Sequence, residues 1–99
     1  MLRKLDDKSA IATTLANRGV ILQHLGKTKE ALTSLEESLI LNRESGNKVG
    51  LVNVLNNLGA FYLSKRELKE SFKCFEERKL TYSLTDELSY ESALIYKPI

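Results

Sequence analysis

Leu55-Asn56-Asn57-Leu58-Gly59 rewrites Leu15-Ala16-Asn17-Arg18-Gly19 at a distance of 40 residues. The echo runs on in the same register. Lys69-Glu70-Ser71-Phe72 answers Lys29-Glu30-Ala31-Leu32, and Phe75-Glu76-Glu77 answers Leu35-Glu36-Glu37. Self-similarity at a period of roughly 20 to 50 residues marks a stacked architecture, in which each unit buries its apolar face against the next. Such stacks usually offer a surface to another chain rather than a catalytic centre.

The composition narrows the class further. The chain has 99 residues, enough for one domain with a modest core, and 42% of them are apolar and 28% charged. The formal net charge is only +2 and the basic residues are scattered, so no nucleic-acid or anionic-lipid surface is expected. No apolar run approaches the roughly 20 residues of a membrane span, and no signal segment opens the chain. A single cysteine, Cys74, rules out an internal disulfide framework. With no Asn-x-Ser/Thr acceptor either, the composition fits a reducing, cytoplasmic setting.

Apolar spacing predicts helices throughout. Ile11, Ala12, Leu15, Ala16, Val20, Ile21 and Leu25 fall at gaps of three and four, which gives an amphipathic helix over about 9–25 with these residues inside. Gly26 suits the end of that helix and Thr28 the cap of the next. A second helix over about 29–45 places Ala31, Leu32, Leu35, Leu39 and Ile40 inward, and Gly46-Asn47 closes it. A third, over about 49–63, carries Leu51, Val52, Leu55, Leu58, Phe61 and Tyr62. A fourth, over about 67–84, carries Leu68, Phe72, Phe75 and Leu80. Thr85-Asp86 would cap a fifth over about 87–97, with Leu88, Leu94 and Ile95 on its apolar face. Strand alternation is absent. Gly within a helix costs about 1 kcal/mol relative to Ala, so Gly19 and Gly59 at matching positions predict a close approach by the paired helix.

These residues resemble the tetratricopeptide repeat family. Leu55, Leu58-Gly59, Tyr62, the small Ser71 and then Phe75 follow its pattern, as do Leu15, Gly19, Leu22, Ala31 and Leu35 in the first copy. Arg18 stands where the family usually has Leu, Leu22 where it has an aromatic residue, and no Pro follows the second helix. The period of 40, the Leu-x-Asn-Leu-Gly run and Gly46-Asn47 look like the long-repeat subclass of kinesin light chain, the Pins-type adaptors and bacterial regulatory proteins. The resemblance implies an all-α, right-handed α-α superhelix. It would hold repeat 1 at about 12–46, repeat 2 at about 52–86 and a C-terminal helix at about 87–97. Met1 to Leu5 followed by Asp6-Asp7 matches Leu41 to Ser45 followed by Gly46-Asn47, so the chain reads as a fragment of a longer array. HEAT and armadillo repeats share the period; the paired glycines and the lack of mid-helix prolines argue against them.

In such an array the first helix of each pair lines the concave surface. Helical spacing aligns Thr13, Asn17, Val20 and His24 on one stripe, and Asn53, Asn57, Ala60 and Ser64 on the matching one, with Asn56 beside it. Asn is a poor interior helix residue, yet Asn17 and Asn57 recur 40 residues apart. A carboxamide both donates and accepts, which suits an extended peptide backbone, and Asn at this place does so in the adaptors that the chain resembles. The opposing view has these Asn residues joining helix pairs or facing water. The predicted binding residues are Thr13, Asn17, His24, Asn53, Asn56 and Asn57. The Lys/Arg clamp for a C-terminal carboxylate, found in other members, is largely missing: Thr13, Ala16, Ala93 and Tyr96 occupy its places, with only Lys97 basic.

Little chemistry competes with binding. His24 is the only histidine, and near a turn it is expected to be solvated. Cys74 takes the place of Ser34 on what reads as the polar side of its helix. Glu36-Glu37 and Glu76-Glu77 read as a solvated face with i to i+4 pairing. No phosphate loop, metal-ligand spacing or nucleophile motif occurs, so neither enzyme activity nor a cofactor is expected. The partner is expected to be a protein or peptide, with self-association through the terminal helices as a further possibility. Two alternatives remain open: a spacer or oligomerisation segment, and a regulatory domain attached to a catalytic region elsewhere.

Overall fold

The computed structural model describes residues 4–81, all of which are helix or short turn with no strand among them. Helix α1 spans Lys4–His24, α2 spans Thr28–Ser45 and α3 spans Lys48–Ser64. A fourth, α4, occupies 68–81. The expected fifth helix, with Leu88, Leu94, Ile95, Tyr96 and Lys97, lies outside the described residues.

Each turn stops its helix in the same way. The N–H of Lys27 bonds the carbonyl of Leu22 (2.9 Å) while that of Gly26 bonds Gln23 (3.0 Å). Asn47 to Asn42 (3.1 Å) with Gly46 to Arg43 (3.2 Å), and Glu67 to Tyr62 (2.9 Å) with Arg66 to Leu63 (3.0 Å), repeat the pattern. This is the Schellman closure, and it requires a left-handed residue. The three such residues are Gly26 (φ 80°), Gly46 (φ 69°) and Arg66 (φ 60°), spaced 20 apart, so the third turn forces a side chain into a conformation that suits glycine.

Two boundaries differ from expectation. Helix α1 runs unbroken through Asp6 and Asp7, where a turn between units was expected. Lys27, not Thr28, caps α2, and it makes no side-chain capping bond. Asn47 does cap α3: its side chain accepts the N–H of Gly50 at 3.0 Å.

Helix α1 packs along α2, α2 on α3, and α1 also touches α3. Both interior glycines sit at close approaches. A Cβ on Gly19 would lie 2.6 Å from Leu35 Cγ, and one on Gly59 would lie 2.5 Å from Phe75 Cε1. Around these contacts Ala16, Leu22, Ala31, Leu35, Val54, Leu58 and Phe61 form the core, with Leu32, Leu39, Leu51, Tyr62 and Cys74 packed against it. Fully burying a side chain such as Leu35 contributes about 1.5–3 kcal/mol.

The inward faces are rotated from those that residue size suggests. Ile11, Ile21, Leu25, Ile40, Leu68, Phe72 and Leu80 are exposed. Ser34, Ser38 and Asn42 are buried instead. The cause is the stripe of small residues Ala12, Ala16 and Gly19 on α1, which lets α2 come close. At that distance the Ser34 hydroxyl donates to the Leu15 carbonyl and that of Ser38 to the Ala12 carbonyl, both at 2.7 Å. A buried hydroxyl with such a partner no longer pays the full desolvation penalty. Cys74, at the place of Ser34 in the second unit, is half-buried.

Candidate functional site

Helices α1 and α3 lie side by side and enclose a groove with two lobes. The first, about 230 Å³, is lined by Ala12, Thr13, Ala16 and Asn17 of α1, by Gly50, Asn53, Asn56 and Asn57 of α3, and by Asn42 of α2. The second, about 550 Å³, continues past Asn57 toward the turns and is bordered by Val20, His24, Ala60, Ser64 and Lys65 among others. Asn57 belongs to both.

The structure therefore brings Thr13, Asn17, Asn53, Asn56 and Asn57 into one lobe and places His24 in the other. The carboxamides of Asn17, Asn53 and Asn57 make no hydrogen bond with other described residues. Asn17 and Asn53 are exposed and Asn57 is half-buried. Asn56 differs, because its Oδ1 accepts from Arg78 Nη1 of α4 at 3.1 Å. Thr13 is also engaged: its hydroxyl donates to the Ser9 carbonyl at 3.0 Å. His24, at the exposed C-terminal end of α1, opens toward the wider lobe.

Charge is nearly absent from the groove. No ionisable side chain lines the first lobe, and Lys65 is the only Lys, Arg, Asp or Glu of the second. Lys65 Nζ donates to Thr28 Oγ1 (3.0 Å) and Gln23 Nε2 donates to Ser64 Oγ (3.3 Å), so polar contacts tie the two units together at the floor of that lobe.

Asn42 and Gly50 of the first lobe were missed from sequence. Asn42 is 2% exposed and Gly50 faces it, its absent side chain leaving room for the Asn42 carboxamide. The spacing Ser34, Ser38, Asn42 was visible as a polar stripe on α2, but only the small residues opposite reveal that it is buried.

The acidic pairs and Cys74 lie away from the groove. Glu77 does not pair within its own helix as expected: both its carboxylate oxygens accept from Arg43 Nη2 of α2, at 2.6 and 2.5 Å. Burial pushes the Cys74 thiol up, as do the Glu77 and Glu70 carboxylates, with Arg43 opposing. Burial, then Glu36, does the same to the Tyr62 phenol. Cys74 thus has the reverse of an activated thiolate's surroundings. Among the described residues no group of three or more His, Cys, Asp or Glu could hold a metal ion, and no helix is long and apolar enough to cross a membrane.

The family model for the tetratricopeptide repeat matches residues 10–78. Comparison with curated proteins and with solved structures gives no match.

Proposed function

Because the chain belongs to the tetratricopeptide repeat family, we propose that it is a non-catalytic scaffold or adaptor module that holds an extended segment of a partner protein between α1 and α3. One observation carries this reading: Asn17, Asn53 and Asn57 line the first lobe between α1 and α3 with carboxamides that no described residue engages. Each can donate to a peptide carbonyl and accept from a peptide N–H. Thr13, Asn56 and His24 border the same path, with Asn56 held partly by Arg78. The period of 40 and the three left-handed turns 20 residues apart favour the long-repeat subclass. The unpaired Cys74 favours a cytoplasmic setting.

The test is capture of partners from lysate of the source cell by the wild-type chain and by Asn17→Ala/Asn53→Ala/Asn57→Ala. A polypeptide held by the wild type and lost by an equally stable variant is the expected result. Asn57→Ala alone should weaken the captured complex by about 1–2 kcal/mol, the size of a lost hydrogen bond, with the melting temperature unchanged. Equal capture by both chains would refute the groove as the site.

A second reading, self-association in a spacer role, is favoured by the apolar surface of the outer helices: Ile11, Ile21 and Leu25 on α1, and Leu68, Phe72 and Leu80 on α4.

A further inference from the structure

Asn42 Oδ1 is a buried acceptor with no hydrogen-bond partner. Its orientation follows from its neighbour. The single proton of the Ser38 hydroxyl goes to the Ala12 carbonyl, so Ser38 Oγ can only accept from Asn42. Asn42 Nδ2 donates to it at 3.4 Å, and the carbonyl end is thereby turned to Gly50, at the base of the first lobe. A side chain on Gly50 would occupy the same space as this oxygen. Asn47 Nδ2, which also lies against Gly50, belongs to a carboxamide already held at Gly50 N and makes no bond to Asn42. A buried acceptor left without a donor is costly, and Asn42 is among the residues that line the first lobe.

The lobe also states what kind of donor fits. Its volume of about 230 Å³ lies below the roughly 300 Å³ at which drug-sized ligand pockets begin, and suits one side chain. Its walls carry no charge, so nothing there pairs with an ammonium or guanidinium. Around the mouth, Asn17, Asn53 and Asn57 offer N–H donors to a carbonyl. An N–H for Asn42 and a C=O for these residues together describe a primary carboxamide.

We propose that the first lobe is a specificity pocket for a side-chain carboxamide, Gln or Asn, of the bound segment, with Asn42 Oδ1 as its acceptor. This rests on the groove reading above. It adds a sequence preference that the exposed Asn residues alone would not impose.

The experiment uses random dodecamer peptides displayed on phage and selected on the 99-residue chain. Selected peptides should share Gln or Asn at one position. Replacing that residue by its acid, Gln by Glu or Asn by Asp, which has the same shape but turns an oxygen toward Asn42, or by Met, should weaken binding to the wild type about tenfold. On Asn42→Leu the same replacements should change affinity less than about twofold. If Asn42→Leu does not fold, the peptide series on the wild type still decides. Peptides that lose affinity on Asn57→Ala but tolerate the acid and Met at every Gln or Asn would overturn the pocket and leave the groove standing. So would a crystal structure of the complex in which only water or Asn47 reaches Asn42 Oδ1. No selected peptide, or none sensitive to Asn17→Ala and Asn57→Ala, would overturn the groove and the pocket together.

Discussion

At the scale of single residues, the two interior glycines look equivalent and are not. Adding a methyl group at either returns about 1 kcal/mol of helix propensity, and overpacking removes about 1–3 kcal/mol. Leu35, which meets Gly19, is fully buried and cannot move aside, and the Ala31 carbonyl stands 3.2 Å from the same point. Phe75, which meets Gly59, is only half-buried and can swing outward. Gly19→Ala should therefore lower unfolding stability by about 1–2 kcal/mol, and Gly59→Ala by distinctly less, as urea titration would measure. Cys74 gives a pH signature. Its folded thiol has a pKa above the ordinary 9.0, so the folded state keeps a proton that the unfolded state releases first. Stability should thus be whole below pH 9 and fall as the pH rises through and beyond that value. Cys74→Ser should flatten the fall, leaving the part due to Tyr62.

At the scale of elements, much was legible and the failures share a cause. The four described helices and the turns at Gly26, Gly46 and Arg66 followed from gaps of three and four and from turn residues, because turn chemistry is local, whereas no turn forms at Asp6-Asp7. The rotation of each helix did not follow. Ile11 and Ile21 outweigh Ala12 and Gly19 in any measure of apolarity, yet the small pair faces the partner helix because closeness there allows Ser34 and Ser38 to bond across. The groove stripe was readable, since Asn17 and Asn57 repeat in register. Asn42 was not, because its place depends on a glycine of the next helix. The turn at Arg66 allows a direct check. A non-glycine residue in the left-handed region costs about 1–2 kcal/mol, partly offset by the entropy that glycine gives to the unfolded chain. Arg66→Gly, matching Gly26, should raise stability by about 0.5–1 kcal/mol, seen as a higher denaturation midpoint with an unchanged slope.

At the scale of the whole molecule, the two readings of function separate on mass. Phe72 stands 40 residues after Leu32, which packs against the core, but is itself 66% exposed. If the outer faces join copies, weight-average mass in the ultracentrifuge should rise with concentration and Phe72→Glu should hold the chain monomeric. So exposed a substitution should cost little stability, about 0.5 kcal/mol or less. A constant mass for the wild type would leave groove binding as the surviving reading.

A repeat invites the idea of interchangeable bricks, and the seam inside each unit argues otherwise. The first is joined by Ser34 and Ser38 reaching carbonyls of α1; the second by Phe75 against Gly59, Ser71 bonding the Gly59 carbonyl at 3.0 Å, and Arg78 lying 5.3 Å over the Phe75 ring. Cys74 and Arg78 now stand where the first unit has Ser34 and Ser38. The two copies have become different locks cut to the same outline. A recombined chain that pairs α1 with α4, or α3 with α2, would keep every turn and still join mismatched halves, so exchange between units has to move both helices of a pair together.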